Sequence, residues 1–232
     1  MAFGGLQKNS FIDYPGKISC VIFLAGCNFT CPYCHNPELA KGRPTECIDE
    51  DEVFDFLERR NNFLDGVVIS GGEPTLCKDL VTLCERIKQM GYPIKLDTNG
   101  SRPRVIQRLV DEGLIDYIAM DIKTDPLDYE PLIQGNCNPD QILSSIRIIM
   151  QSNIPYEFRT TCIKPLVDKD VVERISRHVK DSMLYTLQQF HHNGDRVLQP
   201  EFFKDKGLIY DDDEIMHLKS IAEPWVQRCI VR

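Results

Sequence analysis

The apolar positions of this chain alternate between short dense runs and longer stretches in which they recur every three or four residues. Ile18 to Leu24 is the first dense run. It is mostly apolar and bounded by glycines, which predicts a buried strand. Asp49 to Arg60 follows with helical spacing, Val53, Phe56 and Leu57 falling on one face. The alternation then repeats. Strands are predicted at Gly66 to Ser70, Pro93 to Asp97, Tyr117 to Met120, Tyr156 to Ile163 and Met183 to Phe190. Helices are predicted at Leu80 to Met90, Arg104 to Glu112, Gln141 to Met150, Asp168 to Val179 and Asp213 to Ala222. Met1 to Gly16 reads as a lead-in ending in the turn signal Asp13-Tyr14-Pro15-Gly16. Thr124 to Pro139 reads as a long irregular loop, Glu201 to Asp213 as a polar loop, and Trp225 to Arg232 as a terminal edge strand.

Six strand-then-helix units in series imply a parallel sheet with helices outside it. Right-handed crossovers curl such a sheet toward a barrel, and six units fall short of the eight of a closed one. The expectation is an open, partial (β/α)6 barrel forming a single α/β domain over residues 1–232. No repeat, linker or low-complexity segment interrupts it.

Composition narrows the partners. The net charge of −8, with both signs interspersed, argues against nucleic acid, which asks for a basic patch. No run of 18 apolar residues suggests a membrane span. The N-terminus shows no charged segment followed by an apolar one, so no signal peptide and a cytoplasmic location are expected. Of ten cysteines, seven (Cys20, Cys47, Cys77, Cys84, Cys137, Cys162 and Cys229) are scattered, and most read as small buried hydrophobes.

Polar residues collect where strands end: Glu73, then Asp97-Thr98-Asn99, then Asp121 and Lys123, then Arg159 and Thr161, then His191. In parallel α/β folds ligands bind at these C-terminal strand ends. The other three cysteines, Cys27, Cys31 and Cys34, follow the first strand in Gly-Cys-Asn-Phe-Thr-Cys-Pro-Tyr-Cys-His-Asn, residues 26–36. Their spacing converges three soft thiolates on one point, with no fourth cysteine nearby. That set suggests a [4Fe–4S] cluster with one iron open. Zinc with His35 as fourth ligand and a Cys-Pro-Tyr-Cys dithiol are the alternatives. The first asks adjacent side chains to reach one metal; the second leaves Cys27 unexplained.

The loop resembles the cluster loop of the radical S-adenosylmethionine (SAM) superfamily, with an aromatic residue, Tyr33, before the third cysteine. His35 and Asn36 make it more specifically similar to the glycyl-radical-enzyme activases, which include those of pyruvate formate-lyase and anaerobic ribonucleotide reductase. The resemblance implies that Cys27, Cys31 and Cys34 hold the cluster, whose open iron is chelated by SAM. It implies that Gly71, Gly72 and Glu73 of Gly-Gly-Glu-Pro bind the ammonium of SAM, that Tyr33 approaches the adenine, and that Thr98, Asn99 and Arg159 hold the carboxylate and ribose. His191 aligns beside the adenosine, and Asp121-Ile122-Lys123 matches an activase Asp-x-Lys element. Asp13 matches a position near the substrate; Asp13, Lys123 and His191 are the candidate catalytic residues.

Some relatives hold a monovalent cation on aspartates such as Asp97 and Asp121, so a cation is a further candidate cofactor. The activity implied is reductive cleavage of SAM to a 5′-deoxyadenosyl radical, which takes hydrogen from a glycine of a partner enzyme. Anaerobic ribonucleoside-triphosphate reductase is the expected partner, and reduced flavodoxin or ferredoxin the expected electron donor. A radical SAM enzyme acting on a small molecule is the alternative, and a zinc-binding interaction module the reading from another class.

Overall fold

A computed structural model describes residues 3–44, 47–129, 138–191, 197–203 and 207–232. Seven strands run parallel in chain order: β2 (Ser19–Leu24), β3 (Gly66–Gly71), β4 (Ile94–Thr98), β5 (Tyr117–Asp121), β6 (Tyr156–Cys162), β7 (Tyr185–Gln189) and β8 (Cys229–Val231). An eighth strand, β1 (Phe3–Ser10), pairs antiparallel with β2, and the sheet order is strictly sequential from β1 to β8. Among the described residues the ends of the sheet do not pair with each other, so the barrel is open, as expected.

β1 lies within the lead-in, for which the apolar pattern predicts no strand. Its sequence, Phe-Gly-Gly-Leu-Gln-Lys-Asn-Ser, carries two glycines and lacks alternation, and its register against β2 shifts twice. An edge strand held by one neighbour needs little β pattern of its own. The helix α1 (Pro37–Ala40) was also hidden, being one turn long. The remaining helices α2 (Glu50–Arg59), α3 (Leu80–Gln89), α4 (Pro103–Asp111), α5 (Pro139–Gln151), α6 (Lys169–His178) and α7 (Asp212–Ala222) fall where the periodicity puts them, to within a few residues. Capping explains some starts: Asp168 accepts from Val171 N at 2.8 Å, and Asp211 and Glu214 form a reciprocal capping box. The terminal strand, Cys229–Val231, is shorter than expected; Trp225 belongs instead to a 3₁₀ turn, Glu223–Trp225, after α7. Residues 130–137 of the expected long loop, with Cys137, lie outside the described residues.

Alternation along each strand sorts side chains into two compartments. Val67, Ile69, Ile94, Leu96 and Ile118 face outward into the main core against the helices. Val21, Val68 and Tyr14 form a separate cluster with Phe23 and Tyr117 on the other face, inside the barrel. Tyr14 and Tyr117 lie with rings 6.0 Å apart at the N-terminal end of the strands. Above them the lumen turns polar. Glu157 is buried there, bonded to Thr186 at 3.0 Å and to Arg232 at 3.0 Å. All described cysteines are free; Cys20, Cys84, Cys162 and Cys229 are buried, Cys77 half-buried and Cys47 exposed.

Candidate active site

The loop after β2 is held in place from two sides. On one side α1 folds back under it: Gly26 N bonds Leu39 O at 2.7 Å and Cys27 N bonds Ala40 O at 3.0 Å. On the other, the turn after β3 lies against it. Gly72 N bonds Leu24 O at 2.9 Å and Glu73 N bonds Gly26 O at 2.8 Å. Side chains at these glycines would collide with that backbone: a Cβ on Gly71 would overlap Leu24, and one on Gly72 would overlap the Gly26 carbonyl. Gly71 also has φ +126°, which side-chain-bearing residues avoid. The two glycines thus serve the approach of two loops to each other.

Glu73 binds the next strand into the assembly. It is 1% exposed and accepts four hydrogen bonds, from Thr75 N at 3.1 Å, Thr75 Oγ1, Thr98 Oγ1 at 2.7 Å and Asn99 N at 2.6 Å. Burial raises its carboxyl above the usual range, against the lowering effect of those donors. Asn99 continues the linkage: its Nδ2 donates to Asn28 Oδ1 at 3.0 Å and approaches Cys27 Sγ at 4.0 Å. Asn28 and Ser101, whose hydroxyl donates to Asn28 at 3.3 Å, are positioning residues that the motifs did not reveal.

Cys27, Cys31 and Cys34 face one cavity of about 250 Å³. The same cavity is lined by Tyr33, His35, Asn36, Ser70, Gly71, Gly72, Glu73, Asp97, Thr98, Asn99, Asp121, Lys123 and Thr161. Most of the residues picked out in the sequence therefore meet. Burial pushes the Cys31 thiol up to about 12; Lys123 opposes this, and the neighbouring Cys27 and Cys34 add to it. Burial raises the Cys27 thiol as well. The Tyr33 hydroxyl is buried with no hydrogen-bond partner among the described residues.

The cavity floor is a chain of alternating charges. Lys95 pairs with Asp97 Oδ1, and Asp97 Oδ2 takes Ser70 Oγ at 3.3 Å and lies 3.5 Å from Arg159. Arg159 Nε bonds Asp121 Oδ1 at 2.7 Å, and Lys123 Nζ bonds Asp121 Oδ2 at 3.0 Å. Burial alone would raise the Asp121 carboxyl, but Arg159 and Lys123 outweigh it and hold it well below the usual carboxylate range. Burial would lower Lys123, and Asp121 with Cys31 outweighs that too, keeping it charged. Arg159 thus sits beneath the cavity on the two aspartates instead of among its lining residues.

Two expected residues lie elsewhere. Asp13 takes a hydrogen bond from Ser10, which pairs with Ser19 at the start of β2, so it lies at the end of the strands opposite the cysteines. His191 is exposed, directly after Phe190. Phe190 itself stacks on His35, with centroids 5.0 Å apart and planes at 16°, and on Phe203 at 5.2 Å. Leu198 N and Gln199 N bond Cys34 O and Pro32 O, both at 3.1 Å. The chain beyond β7 thereby straps the cysteine loop from outside.

The donor set fits an iron–sulfur cluster better than a structural metal. Closed zinc sites take four protein ligands, whereas here three thiols face a cavity that extends beyond them to Glu73, Asn99 and Lys123, and the His35 ring lies flat on Phe190. Three thiolates with space beyond them suit a cluster that keeps one iron for an organic ligand.

Residues 21–177 match the radical SAM superfamily, and the chain belongs to it. Enzymes of this superfamily bind SAM and a [4Fe–4S] cluster. Within it, the chain is homologous to the glycyl-radical enzyme activating enzymes. A protein of Methanocaldococcus jannaschii named as one of them is 38% identical over 237 residues, which cover 98% of this chain and 94% of that protein. The pyruvate formate-lyase-activating enzyme of Streptococcus mutans is 30% identical over 170 residues, covering 68% of this chain and 64% of its own. Among solved structures, Streptococcus suis SuiB bound to S-adenosylmethionine matches 91% of this chain and 51% of its own with a TM-score of 0.64 at 13% identity. TYW1 with a lysine-pyruvate adduct bound matches 89% of this chain and 72% of its own, with a TM-score of 0.59 at 20% identity. These two likenesses are of fold.

Proposed function

We propose that this protein activates a glycyl-radical enzyme, using SAM and a [4Fe–4S] cluster to generate a radical on a backbone glycine of that partner, with anaerobic ribonucleoside-triphosphate reductase the expected partner. The observation that carries the reading is similarity to a protein named as such an activating enzyme along nearly the whole of both chains. When bound, the two groups supply one-electron cleavage of the sulfonium and a carbon radical able to remove a hydrogen atom.

In this reading Cys27, Cys31 and Cys34 hold the cluster. The raised thiols of Cys27 and Cys31 lose protons on loading, so iron uptake is favoured by alkaline conditions. Gly71, Gly72 and Tyr33 meet the ligand chiefly through backbone, and Glu73, Thr98 and Asn99 fix the wall they form. Lys123 presents a cation to the cavity, suited to the ligand's carboxylate, and Arg159 supports it through Asp121. Asp13, at the opposite end of the strands, and the exposed His191 stand outside this set. Side-chain packing around the loop, including the Phe190 stack, keeps water from a reactive radical. Reduced flavodoxin or ferredoxin is the proposed donor, and the cytoplasm the proposed location; no helix of the described residues is long and apolar enough to cross a membrane.

A small-molecule substrate is the second reading. It is favoured by similarity to the 7-carboxy-7-deazaguanine synthase of Haemophilus influenzae, 30% identical over 154 residues that cover 66% of this chain and 63% of that one. One experiment separates the two. Anaerobically reconstituted and reduced protein is mixed with SAM, with and without a candidate glycyl-radical partner, and 5′-deoxyadenosine is measured. Product that rises with the partner, together with a glycyl EPR signal on it, supports activation. Slow cleavage that no such partner stimulates favours the small-molecule reading.

A further inference from the structure

The cavity floor holds a third cation, and it comes from a residue outside every motif. Lys95 lies in mid-β4, two residues before Asp97, and its side chain is 1% exposed. Beyond Asp97 it faces the ring of Tyr117, with Nζ 5.9 Å from the centroid. The floor reads Lys95, Asp97, Arg159, Asp121, Lys123: three cations and two carboxylates, alternating across β4, β5 and β6. A buried charge is costly unless paired. Without Lys95, one Asp97 oxygen would lose its charged partner, leaving that carboxylate to compete with Asp121 for Arg159. Lys95 therefore leaves Arg159 free to give its closer bond, at 2.7 Å, to Asp121 while it bridges to Asp97 at 3.5 Å. That bond in turn fixes Asp121, on which Lys123 rests at the cavity surface.

We propose that Lys95 is a positioning residue for SAM binding: its buried ammonium is a built-in counter-ion that holds the Asp97–Arg159–Asp121–Lys123 chain in register. The proposal rests on the reading of this cavity as the SAM site. An ammonium already seated on Asp97 does there what a bound monovalent cation would do, so SAM binding needs no added cation.

The test uses anaerobically reconstituted protein and reads SAM affinity by equilibrium dialysis, beside iron content and far-UV circular dichroism. Lys95→Ala leaves a cavity the size of a short alkylammonium ion. Lys95→Met fills the same space without charge. Both variants are expected to keep their iron and to lose roughly tenfold in SAM affinity, the scale of one charge-assisted interaction. Ethylammonium chloride should restore Lys95→Ala and leave Lys95→Met unchanged. Undiminished affinity in either variant overturns the proposal, as does a loss in Lys95→Ala that ethylammonium does not repair. Wild-type protein supplies a measurement independent of either variant's folding. Its SAM affinity should agree within about twofold in sodium, potassium and choline chloride at equal ionic strength, and a requirement for potassium overturns the proposal. Wild-type protein that loads iron yet binds no SAM in any of these salts overturns the functional reading as well.

Discussion

Gly72 lies directly against Gly26, so that a methyl group on the first would overlap the carbonyl oxygen of the second. One glycine opens the cysteine loop and the other turns the chain after β3. Their contact, with the Glu73 N to Gly26 O hydrogen bond at 2.8 Å, makes a single body of the two loops. Gly72→Ala should therefore act on the cluster site. The overlap is with backbone, which has no rotamer to yield, and overpacking of this kind costs about 1–3 kcal/mol. The expected result is a marked fall in iron and sulfide per chain after reconstitution, with the helical content unchanged. Full iron loading would show that the loops separate without consequence.

Phe190 performs the same service from outside. It is fully buried, stacks on His35 and Phe203, and meets Tyr33 edge-on at 6.2 Å. Phe190→Ala should destabilise the protein by about 3–5 kcal/mol, the range for large aromatic truncations in cores. It should also loosen the strap at residues 197–203, so proteolysis under native conditions should cut there sooner than in wild type. Equal protection in both proteins would mean that the two backbone bonds to Pro32 and Cys34 hold the strap unaided.

The arginine changes its meaning between sequence and structure. As a polar residue on β6, Arg159 resembles a ligand contact, and its loss is then expected to weaken SAM binding alone. In the fold it bridges Asp97 and Asp121 below the cavity. Arg159→Ala leaves two half-buried carboxylates, each with a lysine as its remaining cation, for which a loss of about 1.5–3 kcal/mol is expected in denaturant unfolding. Adding Asp121→Asn should return part of it, because the second change removes one of the two charges that Arg159 had balanced. Strictly additive losses would refute the coupling between the two side chains.

Parallel strands are legible because their apolar runs are dense, and the cysteine loop because thiolate spacing has few readings. Lys95 was not legible for a physical reason. In Ile94-Lys95-Leu96 a charged residue between two buried ones reads as the solvent face of a half-buried strand. In a barrel that face is the lumen, and only the closing of the sheet decides which. β1 escaped for the opposite reason, since pairing to β2 supplies what its glycines and polar residues lack. Glu73 was found by motif, but two of its four bonds, those from Thr98 and Asn99, depend on β4 lying beside β3, a matter of topology alone.

Alkaline pH offers a test of how the cysteines are held before any iron arrives. Burial pushes the thiols of Cys20, Cys31, Cys84 and Cys162 up to about 12 in the folded protein. In the unfolded chain a thiol ionises near pH 8.5. Between those values the folded state retains protons that the unfolded state has released, so stability falls as pH rises. The contribution is fully present below about pH 8.5 and is lost progressively as pH climbs toward 12. Iron-free protein should thus unfold at steadily lower denaturant concentration from about pH 8.5 upward. Cys31→Ala should shallow that decline by one proton's worth, about 1.4 kcal/mol per pH unit where the effect is steepest. The same variant should take up less iron and cleave no SAM. An unchanged alkaline slope would place the Cys31 thiol in contact with water, and retained cleavage would remove it from the ligand set.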